Sequence, residues 1–154
     1  MEEPVIVTRL TSGDEAALTN VSAGVFDRTV VPELAAGFVK DPRHHMVVAV
    51  VGETTVGIAS GVHYFHPDKP PELFINEVAV APSHQRRGVG QRLVEELLAI
   101  ARELGCVEAW VLSGSDNRAA ERLYLSVNEG VVSRKDVVMF SMPLRREHPD
   151  PTDS

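Results

Sequence analysis

Apolar residues recur along this chain at two spacings, and the switches between them mark the predicted elements. Pro4 to Leu10 is rich in β-branched residues and reads as a first strand. From Glu15 to Phe26, apolar residues at Ala17, Leu18, Val21, Val25 and Phe26 keep a roughly helical spacing, which predicts a helix weakened near its end by Gly24. Pro32 then stands where a proline starts a helix well, so Glu33 to Val39 is expected as a short second helix ended by Asp41-Pro42. His45 to Val51 is almost continuously apolar, as in a strand buried on both faces. Gly52 to Thr55 makes a turn and Val56 to Tyr64 a return strand, which is a hairpin signature. After a proline-stiffened loop, Leu73 to Val80 is again a strand.

The longest helical pattern follows. Val89, Leu93, Leu97, Ile100, Ala101 and Leu104 share one face, while Arg92, Glu95, Glu96, Arg102 and Glu103 mark the other. Arg92 is placed to pair with Glu96 one turn on. Gly105 stops the helix, and Cys106 to Leu112 is a strand. Strand, helix and strand at this spacing form a βαβ unit, whose strands should run parallel with a right-handed crossover. Ala120, Leu123, Tyr124 and Val127 repeat as a second, shorter helix. Val131-Val132 and Val137 to Met142 read as two final strands. The polar stretch from Arg145 to Ser154 is expected to be a disordered tail to a single domain over residues 1–144.

The first candidate chemistry lies between the Leu73 strand and the long helix. Gln85-Arg86-Arg87-Gly88-Val89-Gly90 ends in glycines and opens a helix. Such a loop can aim several backbone N–H groups at one anion, with the positive end of the helix dipole behind them. Gly88 and Gly90 would let a ligand approach the backbone closely, and Arg86 and Arg87 add charge at the rim. The competing reading is a plain turn before a helix. The loop lacks the Lys-Ser/Thr of a P-loop and the third glycine of a dinucleotide fingerprint, which disfavours both.

Composition narrows the classes. The 154 residues are 44% hydrophobic and 24% charged, an ordinary globular mix. No run is long and apolar enough for a membrane helix, and the acidic N-terminus lacks a secretory pattern. A net charge of −7 and a pI near 5.3 argue against nucleic acid as a partner and suit a cationic or neutral small substrate. The single cysteine, Cys106, fits a reducing cytoplasm and reads as a small buried apolar residue. Histidines, carboxylates and Cys106 show no metal-ligand spacing, so no metal is expected. Trp110 reads as core; His63, Tyr64 and His66 read as surface residues near a strand end that could flank a substrate cleft.

The segment EVAVAPSHQRRGVGQRLVEELL resembles the acyl-CoA-binding motif of the GNAT superfamily of N-acetyltransferases, Gln/Arg-x-x-Gly-x-Gly/Ala. Downstream, NRAAERLY resembles the second signature, Asn-x-x-Ala-x-x-Leu-Tyr, with Asn117, Ala120, Leu123 and Tyr124 in its positions. The two motifs stand in the right order and together span about Leu73 to Val127. Segments around Val25-Phe26-Asp27, FINEVAV and VVMFSM look like the aminoglycoside 3-N-acetyltransferase type. The resemblance implies an α/β (mixed) fold, a GNAT-like acyl-CoA N-acyltransferase architecture with a central, mostly antiparallel sheet flanked by helices. It also implies acetyl-CoA as acetyl donor, a primary amine on a small cationic molecule as acceptor, and a homodimer as one admissible assembly. Acetylation of a protein N-terminus or lysine and a non-catalytic CoA-binding module are the alternatives.

The resemblance also assigns roles. Gln85, Arg86, Arg87, Gly88, Val89 and Gly90 would hold the CoA pyrophosphate, and the backbone of Val78, Ala79 and Val80 the pantetheine arm. Glu77 is the candidate general base, or else a solvent-facing strand carboxylate. Tyr124 is the candidate acid for the departing thiolate, or else packing on the face it shares with Ala120 and Leu123. Asn117 could cap its helix, touch the cofactor, or do both. Phe26, Asp27 and Tyr64, with Glu77, are candidate substrate contacts, and Asp27 and Glu72 could receive a cation. After Tyr124 the chain departs from the pattern: Leu125 to Gly130 stands where the family continues towards Leu-Gly-Phe. Asn128 can take the left-handed conformation that the glycine would supply.

Overall fold

The computed structural model describes residues 3–145. The return strand of the predicted hairpin, β3 (Thr54–Tyr64), lies at the middle of a five-stranded sheet, and its residues from Thr55 to Gly61 are all buried. β1 (Ile6–Arg9) and β2 (His44–Val51) lie to one side of it, β4 (Glu72–Val80) and β5 (Glu108–Val111) to the other. Neighbours are antiparallel except β4 and β5, which are parallel and joined by the long helix α2 (Val89–Glu103). The βαβ step is therefore present, in a mixed sheet that is mostly antiparallel. Two shorter helices, α1 (Pro32–Lys40) and α3 (Arg118–Ser126), complete the regular structure.

The core forms where α2 lies on the sheet. Leu93, Val94 and Leu97 of α2 lie over the sheet face that carries Val47, Ala59 and Leu73, all fully enclosed, and Ile58 is enclosed on the opposite face. Each such aliphatic side chain contributes roughly 1.5–3 kcal/mol of burial, so this layer sets where β4 and the start of α2 stand. Leu104, expected on the same face, lies past the end of the helix and stays 39% exposed.

Several expectations are corrected. Glu15 to Phe26 does not form a helix beyond a 3-10 turn at Glu15–Leu18. Thr55 explains why: its Oγ1 donates to the Ala17 carbonyl, and its backbone exchanges hydrogen bonds with Asn20 and Ser22, drawing the chain onto β3. Glu96 does not pair with Arg92. Arg9 of β1 reaches it at 2.6 Å and also meets Glu103, while Arg92 donates to the Val5 carbonyl. Trp110 and Cys106 are half-buried rather than core. The two closing strands are absent: Val131 and Val137 to Met142 pair with nothing in the sheet, and Phe140 is 81% exposed. Of the expected tail, residues 146–154 lie outside the described residues. No helix among the described residues is long and apolar enough to cross a membrane.

Candidate active site

The site begins with an extra residue in a strand. Across β3 and β4, Ser60 pairs with Glu77 and Gly61 with Ile75, so Asn76 has no partner and forms a β-bulge. The bulge sits where β5 stops: β4 and β5 pair only as far as Ile75 and Val111. Beyond that point β4 continues to Val80 paired only with β3, leaving an open notch between the two parallel strands.

The bulge also decides which way Glu77 points. A Cβ added at Gly57 would touch Leu93, so Gly57, and with it Ala59 and Gly61, face α2. Their partners Val80, Val78 and Ile75 share that face. Glu77, opposite Ser60, lies on the other face, together with Phe74 and Glu72. Without the bulge, Glu77 would follow Ile75 onto the α2 side. Asn76 and Glu77 are both exposed.

Backbone polarity along β4 is equally specific. Ala81 N–H donates to the Val56 carbonyl at 2.7 Å. In an antiparallel ladder such pairs alternate, so Ala79 points its backbone groups at β3 while Val78 and Val80 point theirs into the notch. The Val80 carbonyl is already taken by the Gln85 side chain at 2.9 Å. Gln85 thus ties the glycine loop to the end of β4.

The loop itself holds two left-handed residues, Arg86 (φ 61°) and Gly88 (φ 78°). Gly88 is the N-cap of α2 and makes no side-chain capping bond. The first amides of a helix have no intrahelical partner, so those of α2 face outward at the positive end of its dipole. Gly90 has ordinary torsion; an added Cβ would sit 3.5 Å from Leu123 and 3.8 Å from Val80. The end of β4, the first turn of α2 and α3 therefore converge at Gly90. A cavity of about 690 Å³ adjoins the loop, lined in part by His84, Arg87 and Arg92.

Asn117 caps α3, its Oδ1 accepting the Ala120 N–H at 3.0 Å. Tyr124 is half-buried next to Leu123, and burial pushes its phenol above the usual value, so it holds its proton at neutral pH. Asn128 is left-handed (φ 55°) and straps the end of α3 to α2 through Glu95 and Arg102.

The face carrying Glu77 also carries an aromatic cluster. Phe74 and Trp110 pack with centroids 4.6 Å apart, and Trp110 Nε1 donates to the Tyr64 hydroxyl at 2.7 Å. Next to Tyr64, His66 contacts Glu72 at 2.6 Å, so Glu72 is already partnered. His63 is buried rather than superficial, stacked on His45. Phe26 and Asp27 line a separate cavity of about 780 Å³ between the Glu15–Leu18 turn and α1. Neither cavity is lined by Glu77 or Tyr124. Among the described residues no group of three or more His, Cys, Asp or Glu is placed to hold a metal ion.

Phe74 and Asn76 carry no functional signal in the sequence, and Trp110 reads there only as core. An asparagine inside the apolar run FINEVAV was the one available sign of a bulge.

Residues 16–127 match the model of the acetyltransferase (GNAT) family. The N-alpha-acetyltransferase RimI of Mycobacterium tuberculosis is 36% identical over 127 residues, which are 81% of this chain and 78% of the relative. An aminoglycoside acetyltransferase from an uncultured soil metagenomic sample superimposes with a TM-score of 0.76 at 19% identity, covering 92% of this chain and 99% of the other. An aminoglycoside N-acetyltransferase in complex with CoA does so with a TM-score of 0.68 at 13% identity, covering 94% and 98%.

Proposed function

The chain belongs to the GNAT family of acetyltransferases, and from that premise we propose that it moves the acetyl group of acetyl-CoA directly to a primary amine. The observation that carries the reading is the notch. It offers free strand backbone at Val78 and the Val80 N–H, an uncapped helix start at Gly88 to Gly90, and the Glu77 carboxylate on the strand itself, with Tyr124 on α3 next to the Leu123 that approaches Gly90. An extended amide-bearing arm fits the backbone, and a pyrophosphate fits the helix start. The solved relative in complex with CoA has the same fold. Gly88 is left-handed and an added Cβ there would meet nothing within 4 Å, so the backbone stays open to a ligand, which supports this use of the loop.

Acetyl-CoA supplies an acetyl group activated as a thioester. Glu77 takes a proton from the acceptor ammonium, on the face that carries the aromatic cluster, and the neutral amine so formed attacks the thioester carbonyl. Tyr124, on α3 near Gly90 at the α2 side, gives its proton to the departing thiolate sulfur. A new C–N bond forms, the C–S bond breaks, the Tyr124 phenolate takes back the second proton that the nitrogen sheds, and the free thiol and an amide leave.

Two acceptor classes have support. The α-amine of a protein N-terminus is favoured by the relative at 36% identity, an N-alpha-acetyltransferase. A small cationic amine is favoured by the net charge of −7 and by the open aromatic face beside Glu77, where a cation can lie against a ring. Thiol release from acetyl-CoA, followed with a panel of N-terminal peptides and of small polyamines and aminoglycosides, separates them. We expect turnover with peptides bearing a free α-amine and none with the same peptides blocked. Turnover confined to small amines would reverse the choice, and tight CoA binding with no turnover on any amine would remove the enzyme reading.

A further inference from the structure

Among the described residues, Thr55, Ser60 and His63 are the polar side chains buried in the fold. Two of them are satisfied. Thr55 Oγ1 donates to the Ala17 carbonyl at 2.6 Å, and His63 Nδ1 meets His45 Nε2 at 2.7 Å. Ser60 is 4% exposed, and its hydroxyl has no hydrogen-bond partner in the protein. A buried hydroxyl left without a partner costs free energy, and Ser60 stands in the wholly buried run from Thr55 to Gly61. No fully enclosed side-chain N or O atom among the described residues lacks a partner. The Ser60 hydroxyl therefore opens onto a crevice that solvent can reach.

The strands say where that crevice lies. Ile58, Ser60 and Val62 alternate with the residues that face α2, so the Ser60 side chain points to the face that carries Glu77. Its cross-strand partners there are Met46 on β2 and Glu77 on β4. Met46 is buried and apolar. Glu77 is exposed and makes no hydrogen bond or ion pair within the protein. The bulge creates this pairing, since in an unbroken ladder Asn76 would follow Ile75 and stand opposite Ser60. Directly opposed residues on one face have Cβ atoms about 4.5–5.5 Å apart, so a rotamer change brings hydroxyl and carboxylate into contact.

We propose that Ser60 is a positioning residue for proton transfer from the acceptor. Its single O–H donates to one carboxylate oxygen of Glu77 and holds that side chain so that the other oxygen meets the acceptor ammonium. The N–H bond of the ammonium breaks, its proton passes to the second carboxylate oxygen, and Ser60 keeps its own proton throughout. The inference rests on the acetyl-transfer reading and adds to it the residue that aims the base.

A double-mutant cycle tests it, read as thiol release from acetyl-CoA with the peptide, polyamine or aminoglycoside that the wild type acetylates. Ser60→Ala should lower kcat about tenfold, the weight of one hydrogen bond to a charged group, with KM for acetyl-CoA unchanged. In a Glu77→Gln background the same change should cost little, because the base that Ser60 aims is gone. Thermal unfolding separates aiming from packing: removing a hydroxyl that has no partner should leave the Tm of Ser60→Ala unchanged or higher. An undiminished kcat, an equal loss in both backgrounds, or a Tm that falls along with kcat overturns the inference and leaves acetyl transfer in place. A wild type that acetylates no amine removes both.

Discussion

The proposed cofactor end and the proposed acceptor face lie on opposite sides of one notch, and they are built by different means. The cofactor end is contiguous: Val78 to Gly90 supplies strand backbone, loop and helix start in a single stretch, tied together by Gln85 and the Val80 carbonyl. Its working groups are mostly main-chain N–H groups, which nearly any residue carries. The acceptor face is assembled from Tyr64, Phe74, Glu77 and Trp110 on three strands, and a single bulged residue turns Glu77 towards the others. Its working groups are side chains. A backbone grip constrains sequence mainly at its glycines. A side-chain site can be rewritten by single substitutions, which suits a family whose donor site stays while acceptors change.

The sharpest way to test this division is to remove the two groups assigned to proton transfer, one on each side. Glu77→Gln and Tyr124→Phe are each expected to lower kcat by about 10²–10⁴-fold with acetyl-CoA binding retained. A variant that keeps its rate would take that residue out of the chemistry.

A smaller effect should separate the two sides cleanly. Gly90→Ala makes only ordinary contacts within the protein, so folding should survive while KM for acetyl-CoA rises about tenfold or more. Trp110→Ala should raise KM for the amine and leave that for acetyl-CoA unchanged. If both variants move the same constant in steady-state kinetics, the two sides are not independent.

The smallest effect lies away from both. Burial, and then the charge of neighbouring His63, depresses His45 to about 4. Between that value and the ordinary 6.5, the unfolded chain binds a proton that the folded chain refuses. Stability is therefore full above about pH 6.5 and falls as pH drops towards 4, by about 2 kcal/mol for this group. Thermal unfolding across that range should show the slope in the wild type, and a His45→Gln variant should lose most of it.

Much of the fold was legible because its signals are local. β2, β3, β4 and α2 announce themselves by unbroken or periodic apolar residues, and the glycine loop by its place between them. The failures share a cause as well. The Glu15–Phe26 segment keeps a helical spacing, yet Thr55, far away in the chain, captures its backbone. Arg92 and Glu96 are spaced to pair, yet each finds a partner from the β1 edge. Val137 to Met142 has strand composition, but composition cannot say which sheet will accept it.

The sequence by itself determined the local frame proposed for the cofactor, since a strand, an uncapped helix start and two glycines present backbone groups whose directions follow from local geometry. Only the tertiary structure decided the face proposed for the acceptor. The direction of Glu77 depends on how β4 registers against β3, and a bulge of one residue reverses it. The companionship of Tyr64 and Trp110 depends on the parallel step that brings β5 beside β4. Pairing between distant strands is a property of the packed sheet, so no window of the chain contains it.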